Sequence, residues 1–168
     1  QSLLEWQLQE LTKAGINQVS IIVGFGAEKV EALLHQKGLN SWVSTIYNPF
    51  YAVADNLGSC WVARSAMTEE FMLLNGDTLF EAAIPQRLLD SPSHPITLVT
   101  DSKGIYDADD MKVIVNGEKL AKVGKTIAIS DTHGESIGMM VFRGNGPVVF
   151  RQAVEQALRR PESLKKWY

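Results

Sequence analysis

The sequence predicts an α/β fold, a Rossmann-like, mostly parallel sheet with helices on both faces and an antiparallel insertion. Three observations carry this. Short β-branched or aliphatic runs alternate with helical periodicity from Leu3 to Thr100. An Asn-Gly turn between alternating apolar residues then breaks the rhythm. Finally, 168 residues with 45% hydrophobic content suffice for a single core covered from both sides, so residues 1–168 are expected to form one domain.

Each element has its own signal. Leu3, Leu4, Trp6, Leu8 and Leu11 fall mostly on one side of a helix that Ser2 and Glu5 open as a capping box and Gly15 ends. Val19-Ser20-Ile21-Ile22-Val23 reads as a buried strand, Gly24-Phe25-Gly26 as the turn out of it, and Ala27 to about Gln36 as the next helix. Trp42 to Tyr47 is the second strand, followed by a helix from about Ser59 to Met67 and the strand Phe71 to Leu74. A short helix from Pro85 to Leu89 and the strand Ile96 to Thr100 continue the alternation. After Asp101, Lys112 to Leu120 reads as a hairpin turning at Asn116-Gly117. Ser136 to Phe142 is another strand, and Val148 to Arg159 an amphipathic helix stopped by Arg160-Pro161.

Composition narrows the classes of partner. A net charge of −3 gives no general attraction for nucleic acid or for an anionic membrane. The single cysteine, Cys60, has no intramolecular partner for a disulfide, which points to a reducing, cytoplasmic setting. No run approaches the roughly 18 apolar residues of a membrane span, and no signal peptide opens the chain. Gln1 is no initiator and the capping box begins at Ser2, so the sequence reads as an excerpt of a longer chain. A homo-oligomer is left open.

Two motifs fail on context. Gly24-Phe25-Gly26 resembles the start of a dinucleotide fingerprint, but Lys29 stands where the third glycine belongs and no carboxylate follows about 20 residues on. Gly134-Glu135-Ser136-Ile137-Gly138 matches a nucleophile elbow, yet the strand follows the serine instead of preceding it, and no histidine lies downstream. His35, His94 and His133 lack ligand spacing, and the Asp107, Asp109, Asp110 cluster reads first as a solvated turn.

Asp77 is different. In open α/β sheets ligands bind beyond the carboxyl ends of strands, and Phe-Met-Leu-Leu, residues 71–74, delivers Asn75-Gly76-Asp77 to that edge. Asn75 and Gly76 let the backbone bend and a nucleotide approach, and Asp77 offers a hard oxygen suited to Mg²⁺. The loop after the preceding strand supplies Tyr47, Asn56, Gly58 and Ser59, with groups suited to a base edge and a ribose; as turn formers they also suit a plain surface loop.

These residues together carry a resemblance. Leu3-Leu4-Glu5-Trp6-Gln7 with Ala14-Gly15-Ile16, Val23-Gly24-Phe25 with Ala27-Glu28, Tyr47-Asn48-Pro49, Asn56-Leu57-Gly58-Ser59, Asn75-Gly76-Asp77, Gly124-Lys125 and Glu135-Ser136-Ile137-Gly138 occur in one succession. Their order and spacing resemble the nucleotidyltransferase family, which includes sugar-phosphate nucleotidyltransferases and phosphocholine cytidylyltransferases. The likeness runs nearly end to end. It implies a nucleotide-diphospho-sugar transferase type of fold, and transfer of a nucleoside monophosphate from an NTP to a small phosphorylated acceptor with release of pyrophosphate.

On this resemblance Asp77 is the Mg²⁺ ligand, Lys125 contacts the acceptor's phosphate, Glu135 and Gly138 face the acceptor, and Asn56, Gly58 and Ser59 lie beside the base. The acceptor itself is not legible; a sugar 1-phosphate, phosphocholine or an aminoalkyl phosphonate all fit, and Tyr106, Trp167 and Tyr168 are candidates for a cage around a quaternary amine. The family's glycine-rich loop, which ends in arginine and precedes a Pro-Lys pair, and its first strand belong before Gln1, and its second metal aspartate belongs beyond Trp167-Tyr168. The 168 residues alone are therefore expected to be inactive, and the parent protein to be an enzyme. A metal-dependent glycosyltransferase and a non-catalytic module that binds nucleotide or sugar phosphate are the rival readings.

Overall fold

The computed structural model describes residues 1–160, 162 and 163; Trp167 and Tyr168 lie outside the described residues. The first helix, α1 (Leu3–Lys13), opens on the expected capping box, with the Ser2 amide donating to Glu5 Oε2 at 2.7 Å and the Glu5 amide to Ser2 Oγ at 3.3 Å. Strand β1 (Val19–Val23) leads through α2 (Ala27–Gln36) to β2 (Val43–Tyr47), and the two strands pair in parallel with Val19 opposite Val43. The next helix, α3 (Asn56–Val62), begins three residues before the expected Ser59, because Asp55 takes the extended cap position and its carbonyl accepts from the Gly58 amide at 2.9 Å. It tightens into a 3-10 turn at Ala63–Ala66.

Strand β3 (Phe71–Leu74) matches its expected bounds, and α4 (Ala83–Leu89) places Pro85 in its first turn, where the missing amide hydrogen is not needed. Next come β4 (Ile96–Asp101) and the hairpin of β5 (Lys112–Asn116) and β6 (Lys119–Gly124), turning with Gly117 at φ +61°. Last are β7 (Gly134–Phe142) and α5 (Gly146–Leu158).

The strands form a parallel pair, β1 and β2, and an antiparallel sheet built on β7. Parallel pairing among the described strands is confined to the first sheet. The antiparallel part is larger than the hairpin alone, because β7 runs back between β3 and β4 and separates two strands that the alternation would set side by side. Helices cover both faces, as expected. On one face Met72, Leu74 and Val19 pack with Leu11, Phe80, Leu88, Met139 and Val141. On the other, Phe71, Leu73 and Ile22 pack with Leu57, Cys60, Ala63, Met67 and Val154. Alternate residues of β3 thus serve opposite faces, and each face draws residues from both sheets.

Candidate active site

Asn75, Glu135, Gly138 and the Gly124–Lys125 turn gather where β7 changes partner. Glu135 pairs with Asp101 of β4 and Lys112 of β5, and Phe142 with Ile96 of β4 and Phe71 of β3, so β4 follows one edge of β7 while β5 and β3 share the other. Between those two partners lies a fork at residues 136–138, where β3 ends and β5 begins. Its hinge is Gly138, buried with φ +71°, whose carbonyl accepts from the Asn75 amide at 2.9 Å. The Asn75 side chain lies across Gly138 so closely that a Cβ there would collide with it. Two residues that sequence reasoning placed in the site are thereby in contact.

The exit from β3 is pinned from two sides. Thr78 Oγ1 donates to the Ile137 carbonyl at 2.8 Å, and Gln7, 5% exposed, donates from Nε2 to the carbonyls of Thr78 at 2.8 Å and Asn75 at 3.2 Å. Gly76 and Asp77 project from this anchored turn into solvent. No hydrogen bond or ion pair engages the Asp77 carboxylate among the described residues, and no three His, Cys, Asp or Glu side chains among them gather into a metal cluster. Asp77 therefore presents one uncommitted oxygen donor. That fits a cation which takes only one or two protein carboxylates and completes its shell with water and phosphate oxygens.

On the β5 side of the fork, Glu135 Oε2 holds Lys103 Nζ at 3.0 Å, and Asp110 Oδ1 holds the same ammonium at 2.8 Å. Asp110 and then Glu135 raise the proton affinity of Lys103, and Lys103 in turn keeps the Asp110 carboxyl below its usual range. The acidic cluster is a closed turn, with Asp107 Oδ1 accepting from the amides of Asp109 at 2.8 Å and Asp110 at 3.2 Å. Lys125 is half-buried just past β6; its Nζ sits 3.5 Å from Asp109 Oδ1, and its carbonyl accepts from Lys112 Nζ at 2.9 Å. Tyr106 folds over this loop, its hydroxyl accepting from the Lys103 amide at 3.3 Å.

The residues expected around the base belong to the other sheet's rim. Tyr47 is 54% exposed at the end of β2, and Asn56 is the first residue of α3. Asn48, 2% exposed, organises the loop: its Nδ2 donates to Ser59 Oγ at 3.2 Å and its Oδ1 accepts from the Phe50 amide at 2.8 Å. Gly58 is buried, and a Cβ there would meet Ala54 at 2.6 Å. Gly24 has a similar reason, since Tyr51 packs directly against it and leaves no room for a side chain. This contact, not a pyrophosphate, explains the glycine of the failed dinucleotide motif. The failed nucleophile elbow is also accounted for: Ser136 Oγ accepts from the Gly138 amide, and His133 Nδ1 accepts from the Val115 amide at 3.0 Å. Cys60 is buried, its thiol pushed up to about 12 by desolvation, and is unreactive.

Sequence reasoning missed Gln7, Asn48, Lys103 and Lys112. The first two stand inside motifs of the resemblance, and that was their only signal.

No family model matches the chain. Over 90 residues, 54% of its length, it is 30% identical to a CMP-5'-(3-aminopropyl)phosphonate synthase of Streptomyces rubellomurinus, of which it spans 14%. The inositol-1-phosphate CTP transferase from T. maritima superimposes with a TM-score of 0.75 at 20% identity, over 98% of this chain and 64% of that one. The CTP:phosphocholine cytidylyltransferase from Streptococcus pneumoniae gives a TM-score of 0.63 at 19% identity, over 98% of this chain and 67% of that one. The chain has the nucleotidyltransferase-type fold of these proteins, the same family that its sequence motifs resemble.

Proposed function

We propose that the protein containing this chain transfers a nucleoside monophosphate from an NTP to a small phosphorylated acceptor. A phosphate or phosphonate oxygen of the acceptor attacks the α-phosphorus, the bond to the β-phosphate oxygen breaks, and pyrophosphate leaves. The observation that carries this reading is the fork. An uncommitted carboxylate, Asp77, leaves the anchored end of β3 beside Gly138, while Glu135 and the Lys125 turn stand at the start of β5.

Asp77 is the residue that would hold Mg²⁺. The ion supplies neutralisation of charge on the phosphates during transfer. The chain's own residues orient the reactants: Gly138 and Asn75, packed on each other, form the floor of the fork, Lys125 meets the acceptor's phosphate, and Glu135 meets the rest of the acceptor. Asn56, Gly58, Ser59 and Tyr47 line the nucleotide side, with Asn48 fixing their loop. Catalysis of this kind is positioning plus electrostatics, with no covalent intermediate on the protein. By their names the relatives use CTP or make CMP conjugates, so CTP is the first nucleotide to test. The metal and triphosphate sites are only part-built by these residues, and the isolated 168-residue chain is expected to be inactive.

The test is pyrophosphate release by the parent protein with each NTP, Mg²⁺ and a panel of sugar 1-phosphates, phosphocholine and aminoalkyl phosphonates. Turnover with one pairing is expected. Asp77→Asn is expected to lower kcat at least about 100-fold, the scale for losing an electrostatic anchor of the transition state, with Tm unchanged because the side chain is exposed. Silence across the panel with nucleotide binding retained would replace this reading with the non-catalytic module.

A further inference from the structure

Lys112 is a buried ammonium for which the mechanism above has no use. It opens β5 at 2% exposure, paired across the sheet with Gly124 on one side and Glu135 on the other. Among the described residues no carboxylate lies within ion-pair distance of it. Its Nζ donates to two backbone carbonyls, Lys125 at 2.9 Å and Asp110 at 3.4 Å. A charge taken out of water without a counterion is expensive, and methionine would fill similar space without that cost. What the ammonium alone supplies is a tie between two loops. One carries Asp109 and Asp110 into the fork, and the other carries Lys125.

The Lys125 side chain makes an ion pair of 3.5 Å to Asp109, whose own side chain is 96% exposed. The Lys125 carbonyl is held at 2.9 Å by a group that cannot move without leaving the core. We propose that Lys112 is a positioning residue, whose buried ammonium clamps the 107–111 loop to the Gly124–Lys125 turn and thereby aims Lys125 at the acceptor's phosphate or phosphonate. The inference rests on the nucleotidyl-transfer reading for the identity of that anion.

Two measurements separate its fate from that reading's. In steady-state kinetics of the parent protein, Lys112→Met is expected to raise the acceptor KM about tenfold, the scale of one hydrogen bond to a charged group, while the NTP KM stays within about twofold. Lys112→Arg, which keeps charge and donors, is expected to recover most of the loss. In a Lys125→Ala background Lys112→Met is expected to add nothing further, because it acts through the absent side chain. An unchanged acceptor KM, or additive losses, would overturn the proposal. Lys112→Gln, neutral but still able to donate to a carbonyl, replaces Met if that variant fails to fold.

The second measurement needs no turnover. Methylphosphonate titrated into the 168-residue chain is expected to shift the Lys125 amide resonance, with an apparent Kd about tenfold weaker in Lys112→Gln. Equal titrations of wild type and variant, or no shift at Lys125, would refute the clamp even if the parent protein transfers nucleotides. A weakened titration in a parent protein that transfers none would keep the clamp and discard the reaction.

Discussion

Gly138 concentrates the geometry of the fork in one residue. Its φ of +71° disfavours any L side chain, and the space a Cβ would need is filled by Asn75. Gly138→Ala is therefore expected to destabilise the chain by about 1–3 kcal/mol, with backbone strain and collision both contributing. The two causes separate in part in a double variant: Asn75→Ala removes the two nearest atoms, Nδ2 and Cγ, and leaves the strain and the Cβ contact at 2.9 Å, so the penalty of Gly138→Ala should shrink when measured by urea unfolding against the Asn75→Ala parent. An equal penalty in both backgrounds would show that Asn75 does not occupy that space. Asn75 and Asp77 were legible as the exit of β3 because the signal is local, turn formers and a carboxylate just past a buried strand, whereas Gly138 was singled out only through the resemblance. Gln7 and Lys112 were not legible. Gln7 acts on a carbonyl 68 residues away, and Lys112 is buried by strands on either side of it, so neither role leaves a local pattern.

At the scale of elements, most boundaries followed from caps and periodicity, and the exceptions have physical causes. The α3 start was misplaced because Ser59 reads as a cap, whereas its hydroxyl accepts from Asn48 and the cap position falls to Asp55 through its extended backbone, with no bond from its side chain. The partner change of β7 was invisible, since an apolar run does not say which strands will flank it. The α1 cap was fully legible, and it carries a pH dependence. The Ser2 amide, then the Lys37 side chain 3.0 Å away, lower Glu5 from 4.5 to about 2. Its folded value is below its unfolded one, so the stabilisation is complete above about pH 4.5 and fades as pH falls toward 2. Glu5→Gln is expected to have a lower Tm than wild type at pH 7, with a gap that narrows below pH 4.5 and closes near pH 2. A gap independent of pH would assign the effect to shape instead of charge.

The whole molecule presents two sheets without a hydrogen bond between them among the described strands, yet with shared cores. Val19 of β1 and Leu74 of β3 pack against one buried cluster on one face, and Ile22 and Leu73 against another on the other. Neither sheet can lose its helices without exposing apolar surface of its neighbour. The 168 residues are accordingly expected to unfold in one cooperative step. Phe142 is the residue to probe this with. It is 0% exposed, stacked on Phe71 at 4.5 Å between centroids and 11° between planes, and tilted against Phe150 at 4.5 Å. Truncating a phenylalanine so enclosed costs about 3–5 kcal/mol. If the two sheets share one transition, Phe142→Ala should shift the far-UV circular dichroism curve and the tryptophan fluorescence curve by the same amount, although Trp42 packs in the cluster of β1 and β2, away from Phe142. If Trp42 reported a separate, unshifted transition in a variant where it is the sole tryptophan, the parallel pair would be an independent folding unit, and the fork would be assembled by docking instead of by folding.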